Sequence, residues 1–271
     1  MSDDIRSPNG HDMDCAPSAS ATPDLFEGMT AISALLDPST AAHNDRRVLA
    51  VFVDKTRMDK KSRELSFLRR RGEELGFSVT PVHPEDLDAL TSGKTHGGIV
   101  ATCSERNIPT LTDAGDAIRP DGFYVFLEGI EDPYNFGYTI RSLYAAGVDG
   151  VILPPRNWMG VAGLVARSSA GTSEKMPLYI AEPAEVIPTF HARGYRAVCA
   201  EIRKSVDLYE ADLTRPLLLV IGGEKRGISR AVLAEADLCV RIPYAGDFRG
   251  SLSSAASAAV MAFEIARRTR G

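Results

Sequence analysis

The chain has 271 residues, of which 44% are hydrophobic and 25% charged, and its formal net charge is -5. This is the composition of a globular protein with one large domain or two ordinary ones. It contains no run of about eighteen apolar residues, which excludes a membrane-spanning helix. Its acidic N-terminus has no apolar stretch of the kind that secretory signal peptides carry, so we expect a cytoplasmic protein.

The negative charge is located at the N-terminus. Residues 1–29 contain six acidic side chains and one arginine, so the rest of the chain is neutral overall. Residues 1–24 are rich in Ser, Pro, Ala and Asp and have hardly any aromatic side chains, a composition that buries too little apolar surface to fold. We predict that they form a disordered acidic tail.

Residues 25–106 are predicted to form a small α/β domain, because helical and strand-like patterns alternate. The predicted elements are a helix at 28–36, a strand at 46–54, a basic amphipathic helix at 63–76 that ends at a glycine, and strands at 77–82 and 97–103. Residues 107–121 supply turn residues with little apolar periodicity and are predicted to form a linker.

Part of the small domain is strongly basic. Residues 45–71 contain ten basic and four acidic side chains. Such an excess is typical either of a phosphate-binding surface or of a solvated helix face, and the residue types alone favour neither. If the surface binds RNA, the candidate contacts are Arg46, Arg47, Arg69 and Arg70.

Residues 122–271 form a second predicted domain. Six short apolar runs are rich in β-branched or aromatic residues, and several are followed by helical stretches, which is the signature of a parallel sheet with helices on both faces. The predicted strands are 123–128, 148–155, 176–181, 195–202, 216–222 and 237–242, and the chain ends in a helix at 251–270.

Metal binding and disulfide formation are not indicated. The four cysteines have no short spacing between them, so they match neither a zinc ligand pattern nor a disulfide framework. Cys199 and Cys239 lie inside apolar runs, where a buried structural role is expected.

Polar, glycine-containing segments follow three of the predicted strands. They are DPYNFGYTIR (132–141), GGEKRGIS (222–229) and PYAGDFRGSLSS (243–254). Ligands of open parallel sheets gather outside the carboxyl ends of the strands, so we predict that these segments form one site. The segment 222–229 fits neither a Walker A loop nor the GxGxxG fingerprint, and its glycines are equally typical of ordinary turns.

The segment 132–141 raises a specific expectation. If a helix begins near Phe136, Asn135 is its N-cap, while Gly137 and Arg141 lie one turn apart on one face. A bare glycine beneath a long cationic side chain then predicts an open shelf on which a ligand lies. In the third segment, Ser251 is the predicted N-cap of the last helix.

The motifs, taken in order, resemble those of the SpoU/TrmH family of RNA ribose 2'-O-methyltransferases, in the SPOUT superfamily. They are E-x-I-x-D-P-x-N-x-G-x-x-x-R (128–141), S-S-A-G (168–171), L-V-I-G-G-E-x-x-G (219–227), I-P (242–243) and S-L (251–252). Upstream, GMTAISALL (28–36) and HGGIVA (96–101) are similar to the small substrate-binding domain of many family members.

This resemblance implies a fold, a cofactor and partners. The fold is α/β, a parallel sheet with a C-terminal trefoil knot that is preceded by a small α/β substrate-binding domain. The cofactor is S-adenosylmethionine, the reaction is methyl transfer to a ribose 2'-hydroxyl of structured RNA, with rRNA favoured over tRNA, and the protein is a homodimer. General topology rules disfavour knots, so the resemblance alone carries that expectation.

The resemblance also implies site residues. The catalytic positions are Asn135, Arg141 and Ser253, and the cofactor-binding positions are Gly222, Gly223, Glu224, Gly227, Ile242, Pro243, Ser251 and Leu252. A guanidinium stays protonated in proteins, so we expect Arg141 to hold the phosphate beside the target ribose and to stabilise the developing alkoxide. Asn135 would orient the hydroxyl or Arg141.

One departure from the family pattern leaves an alternative open. The family usually has Asn at the position of Ser253 and Ser at that of Ala255. The alternative is therefore a catalytically weakened RNA-binding protein of the same fold. A dinucleotide-binding oxidoreductase is a further possibility, but it requires a GxGxxG after an early strand, and this chain has none.

Overall fold

A computed structural model of the chain describes residues 23–91, 96–155 and 161–269. Residues 1–22 of the predicted tail lie outside the described residues. The tail ends before Asp24, because Asp24 belongs to the first strand, is 8% exposed, and pairs its carboxylate with Arg46.

The small domain is a four-stranded sheet in the order β1-β4-β2-β3. The β2/β3 pair is parallel, and β4 is antiparallel to both β1 and β2. The predicted helices and strands of this domain are confirmed, with β1 and α3 in addition. Their bounds are β1 Asp24–Glu27, α1 Gly28–Leu35, β2 Val48–Asp54, α2 Ser62–Leu75, β3 Ser78–Val82, α3 Pro84–Leu90 and β4 Ile99–Cys103.

The larger domain is a seven-stranded sheet in the order β7-β6-β5-β10-β8-β11-β9, and every neighbouring pair is parallel. The predicted parallel α/β fold is therefore confirmed. Its elements are β5 Phe123–Glu128, α4 Pro133–Ala145, β6 Gly150–Leu153, α5 Ala162–Ser168, α6 Thr172–Lys175, β7 Leu178–Ile180, α7 Pro183–His191, β8 Arg196–Ala200, β9 Val206–Asp207, β10 Leu217–Gly222, α8 Arg230–Ala234, β11 Leu238–Arg241 and α9 Ser254–Thr269.

Helices cover both faces of this sheet, which explains why its central strands are continuous apolar runs. Helices α4 and α9 pack on one face through side chains such as Ile140 and Ile265. On the other face, Phe190 of α7 and Val232 of α8 pack against the opposite side chains of the same strands. Because β5, β10, β8 and β11 are parallel, the carboxyl ends of β5, β10 and β11 lie at the same edge of the sheet.

The predicted linker, 107–121, is a packed segment of the larger domain. Leu111 and Ile118 are buried in the core under α7, and Leu111 N donates to Ile180 O at 2.7 Å. The sequence predicted a linker but not this packing, because these apolar side chains are too widely spaced to form a helical or strand pattern.

The two domains share a packed junction. Ala166 of α5 is buried in the core of the small domain. Beside it, the guanidinium of Arg46 pairs with Asp24 and, through Nε at 3.1 Å, with Glu174 of α6. The helices α5 and α6 therefore fix the small domain against the larger one.

The helices within the described ranges lack the combination of length and apolar character that a membrane span requires. In those same ranges, no group of three or more His, Cys, Asp or Glu side chains is arranged to hold a metal ion.

Candidate active site

A cavity of about 480 Å³ lies at the edge of the sheet where β10 and β11 end. All eight residues that the sequence assigned to the cofactor line it: Gly222, Gly223, Glu224, Gly227, Ile242, Pro243, Ser251 and Leu252. Gly223 contacts the carbonyl group of Gly129 so closely that a Cβ atom on Gly223 would overlap the carbonyl oxygen. The loop after β10 therefore packs directly against the loop after β5. The structure therefore brings the three strand-end segments together.

Helix α4 begins earlier than predicted. Its first residue is Pro133, and the Asp132 carboxylate accepts a hydrogen bond from Asn135 N at 2.8 Å. The prediction that Asn135 is the N-cap is wrong, because Asp132 has both the extended backbone and the proline at the next position that an N-cap favours. This frees the side chain of Asn135 for contacts outside its own helix.

The side chain of Asn135 is tied to the other two segments through Glu224. Asn135 Nδ2 donates to Glu224 Oε1 at 3.0 Å, and Ser254 N donates to the same oxygen at 3.4 Å. Ser254 Oγ also donates to Gly222 O at 2.9 Å. A carboxylate only accepts, so Asn135 must offer its amide hydrogens to Glu224, which leaves its Oδ1 atom available to a ligand.

The sequence did not identify Ser254 as a site residue. It is buried, and it connects the start of α9 to the loop after β10. Two consecutive serines at the start of a helix are a usable signal, because one caps the helix and the other is free to bond elsewhere.

Gly137 is not an open shelf. It is buried, and a Cβ at this position would overlap Ser168 Oγ and lie 3.0 Å from Ser169 N. The prediction is wrong because the missing side chain makes room for the end of α5 and not for a ligand. Within the S-S-A-G motif, Ser169 Oγ accepts from Ser173 N at 3.1 Å, which stabilises the turn into α6.

Arg141 is exposed on the outer surface of α4 and has no hydrogen-bond or ion-pair partner within the described residues. It lies about 9 Å along the helix from Asn135. Tyr138 and Tyr144, one turn before and after it, are 48% and 40% exposed. The guanidinium is thus available to an anionic ligand on a partly apolar surface.

Ser253 caps the last helix. Its Oγ atom accepts a hydrogen bond from Ala256 N at 3.2 Å. Ser253, and not the predicted Ser251, is therefore the N-cap of α9. Ser253 is exposed and makes no bond to Asn135 or Glu224. Its hydroxyl hydrogen is still able to donate to a ligand, so a catalytic role for Ser253 stays a prediction.

The four arginines predicted to bind RNA differ in their surroundings. Arg46 is 6% exposed and held by Asp24 and Glu174, so the prediction is wrong for Arg46, whose charge is used inside the protein. Arg47 and Arg69 are exposed, and Arg70 is 67% exposed with Glu74 at 3.9 Å. For these three side chains RNA binding remains a prediction.

A parallel α/β domain with a cavity framed by glycine-containing strand-end loops has the architecture of an enzyme that binds a nucleoside-type cofactor. The chain belongs to the SpoU rRNA Methylase family, which it matches over residues 122–263. Residues 27–109 match the RNA 2'-O ribose methyltransferase substrate binding family. The resemblance inferred from the motifs is therefore confirmed.

Named relatives and solved structures agree with this assignment. The 23S rRNA (guanosine-2'-O-)-methyltransferase RlmB of Shewanella oneidensis is 28% identical over 250 residues, 91% of this chain and 98% of that protein. An uncharacterized tRNA/rRNA methyltransferase of Mycobacterium avium is 32% identical over 204 residues, 74% of this chain and 66% of that protein. The SpoU methyltransferase AviRb from Streptomyces viridochromogenes, crystallised with AdoMet, has a TM-score of 0.74 and 25% identity, covering 92% of this chain and 91% of that one.

Proposed function

We propose that this protein transfers a methyl group from S-adenosylmethionine to a ribose 2'-hydroxyl of structured ribosomal RNA. The observation that carries the proposal is the bonded series Asn135–Glu224–Ser254, which joins the first turn of α4 to the loops around the cavity. It holds an acceptor for the ribose hydroxyl at a fixed position beside the cofactor cavity. The name of RlmB supports the reaction type and the RNA substrate, and the AdoMet complex of AviRb supports the cofactor.

The cavity fits the cofactor in size and chemistry. Its volume of about 480 Å³ lies in the ordinary range for small-molecule sites. Ile221, Ile242 and Leu252 give it an apolar lining for a base, while the backbone of Gly222 and Gly223 supplies polar groups without intervening side chains. S-adenosylmethionine, when bound, supplies the electrophilic methyl group on its sulfonium.

The side chains of the protein act on the nucleophile. Asn135 Oδ1 accepts a hydrogen bond from the ribose 2'-hydroxyl and orients it, and Glu224 keeps the amide from rotating. Arg141 binds the adjacent phosphate and stabilises the developing alkoxide. Neither Asn135 nor protonated Arg141 is a base, so the proton leaves to solvent. Ser253 donates to the cofactor or the ribose.

The RNA also contacts the small domain. Arg47, Arg69 and Arg70 are exposed on it, and their charges attract the phosphate backbone.

The same proposal includes a homodimer and a C-terminal trefoil knot. Tyr134 and Tyr138 of α4 and Phe263 of α9 are 44%, 48% and 50% exposed, an apolar surface that a second copy would cover. Arg141 lies in this surface, so each site in a homodimer would be completed at the dimer interface. As family membership suggests, the C-terminal part forms a trefoil knot, and the enzyme works in the cytoplasm.

Mass-spectrometric mapping of ribose methylation tests the proposal. Ribosomal and transfer RNA from cells with and without the protein are compared, and one or more ribosomal riboses are expected to lose their methyl group. Purified protein with S-adenosylmethionine should restore the same methyl group on the unmodified RNA. Binding of that RNA with no methyl transfer would favour the alternative, a catalytically weakened RNA-binding protein.

A further inference from the structure

Arg57 is held at the surface of the small domain by a buried carboxylate. Asp54 is 3% exposed, and its Oδ1 atom accepts from Thr56 N at 2.8 Å and from Thr56 Oγ1 at 2.6 Å. Its Oδ2 atom pairs with Arg57 Nε at 3.1 Å. Burial works against ionisation of Asp54, but the bonds from Thr56 and the charge of Arg57 outweigh it and lower its pKa.

The outer end of Arg57 is available. Its side chain is 56% exposed, and within the described residues its Nη1 and Nη2 atoms have no hydrogen-bond or ion-pair partner. Because Nε is fixed by Asp54, the two free nitrogens form a fork of defined direction. Such a fork matches two oxygens of one phosphate.

The HGG part of the HGGIVA motif provides the surface on which Arg57 lies. A Cβ on Gly98 would lie 3.0 Å from Arg57 Cδ and 3.2 Å from Asp54 Cβ, and Gly98 has a φ of +81°. His96 is 7% exposed, and its Nδ1 atom accepts from Gly98 N at 3.0 Å. The other ring nitrogen of His96, Nε2, lies 3.0 Å from Asp88 Oδ1, so His96 fixes the turn that contains Gly98. Nothing in the proposed catalytic chemistry uses this motif, whereas the close approach of Arg57 accounts for the missing side chain at Gly98.

The charge around Arg57 is strongly positive. Residues 55–63 contain five basic side chains and one acidic one, and Lys55 and Lys60 are both exposed. On the outer face of α2, by contrast, the charge of Glu74 offsets the arginines beside it. Asp54 offsets part of the charge of Arg57, and Glu64 lies 3.9 Å from Lys61, but Lys55 and Lys60 have no acidic partner within the described residues, so the carboxyl end of β2 carries a local positive excess.

This end of the small domain is connected to α4 through α5. Glu27 of β1 is in register with Val100, which is in register with Phe52 of β2, so Glu27 lies two strands, roughly 10 Å, from β2. Arg167 of α5 bonds Glu27 at 2.9 Å. The next residue, Ser168, donates to the carbonyl of Pro133 at 3.4 Å, in the first turn of α4.

We propose that Arg57, flanked by Lys55 and Lys60, is a phosphate-binding site for the backbone of the RNA substrate, away from the methylated nucleotide. This inference rests on the proposed function and adds to it the contact through which the small domain holds the RNA. It requires a substrate that reaches both Arg57 and Asn135, and therefore a folded RNA in preference to a short oligonucleotide.

The test measures affinity for an unmodified transcript of the large-subunit ribosomal RNA over a series of salt concentrations. Arg57→Ala should raise Kd about five- to tenfold at low salt and reduce the slope of log K against log salt by roughly 0.7–0.9, the value for one phosphate contact. Arg193→Ala, an exposed arginine of the larger domain, is the matched control. Asp54→Asn keeps the Thr56 bonds but loses the charge that fixes Arg57, so its effect should be smaller and in the same direction.

Equal affinities and equal salt slopes for Arg57→Ala and Arg193→Ala would overturn the inference. Methyl transfer separates that result from a failure of the proposed function. The Arg57→Ala enzyme should keep its affinity for S-adenosylmethionine and its kcat, with only the KM for RNA raised. If the unaltered protein itself neither binds nor methylates the transcript, the proposed function fails; if it does both and Arg57→Ala matches it, only the phosphate site is refuted.

Discussion

Asn135 is positioned by a residue from another strand end. Glu224 accepts from its amide, and Ser254 holds Glu224 from the opposite side. The acceptor for the ribose hydroxyl and the loops of the cofactor cavity are thereby fixed relative to each other. This matters for methyl transfer, because an in-line displacement depends on alignment of the reacting atoms.

Arg141 should be needed for turnover and not for cofactor binding. In Arg141→Lys the charge is kept, but the fork that binds a phosphate while stabilising the alkoxide is lost. We expect kcat to fall on the order of 10²-fold, as when one donor to a developing oxyanion is removed. Affinity for S-adenosylmethionine, measured by calorimetry, should stay within about twofold. Arg193→Lys is the control, and near-normal methylation by Arg141→Lys would refute the role.

Individual residue roles were only partly predictable. The motifs predicted that the eight cavity-lining residues come together, because strand ends of a parallel sheet share an edge. They did not separate Asp132 from Asn135 as the N-cap, since both residue types cap helices. A bare glycine marks either a ligand or a close neighbour, and only the position of α5 shows that Gly137 serves the second purpose.

Ser253 combines a capping role with a predicted catalytic one, and two substitutions separate them. Asparagine also caps helices, so Ser253→Asn should keep the thermal midpoint and raise the rate several-fold through its longer reach. Ser253→Ala loses the cap, worth about 0.5–2 kcal/mol, and should lower both the midpoint and the rate. Initial rates and calorimetric midpoints provide the comparison. A Ser253→Asn enzyme slower than the unaltered protein would contradict the expectation that a longer side chain raises the rate.

At the scale of elements, burial determined what the sequence could predict. The central strands of the larger sheet are buried on both faces and read as apolar runs, so all six predicted strands are present. The strands β1 and β9 have four and two residues and lie at sheet edges, where polar side chains interrupt the pattern. Their pairing depends on tertiary contacts that no short window of sequence contains.

Helix α9 is anchored by a carboxylate that should make its stability depend on pH. Hydrogen bonds from Arg267, followed by those from Arg268, lower the pKa of Glu264 to about 2. Arg268 also donates to the carbonyls of Leu208 and Tyr209, which attaches the helix to the segment after β9.

Glu264→Gln should therefore destabilise the protein by roughly 1.5–3 kcal/mol at pH 7, the range for hydrogen bonds to charged groups. A lowered folded-state pKa gives stability that is complete above the unfolded-state value of 4.5 and is lost as the pH falls toward 2. Urea denaturation of both proteins between pH 7 and pH 3 should show the difference narrowing below about pH 4.5. A difference that does not change with pH would show that the carboxylate charge is not responsible.

At the scale of the whole molecule, the junction between the domains depends on a pair of residues far apart in sequence. Arg46 and Glu174 are separated by 128 positions, and both are nearly fully buried. Asn44 Nδ2 adds a bond to Glu174 at 2.9 Å. The sequence could assign Arg46 only to a basic segment, because nothing near it in the chain reveals its partner. This junction thus determines the distance between the RNA contacts on the small domain and α4, the helix that carries Asn135 and Arg141.

Substitutions of Arg46 and of its exposed neighbour Arg47 should have different effects, because only Arg46 has a structural role. Arg46→Ala removes the ion-pair partner of two buried carboxylates, Asp24 and Glu174, and only Glu174 retains a cation nearby, Arg106. We expect a loss of about 3–5 kcal/mol in the free energy of unfolding, the range for breaking a buried ion pair. Arg47→Ala should leave stability within about 0.5 kcal/mol, as for ordinary surface substitutions, but weaken RNA binding and reduce its salt dependence. Denaturation curves and RNA affinities of both variants are measured at several salt concentrations. If Arg46→Ala proved as stable as the unaltered protein while losing salt-dependent affinity, Arg46 would be an RNA contact after all, and the ion pairs would not hold the domains together.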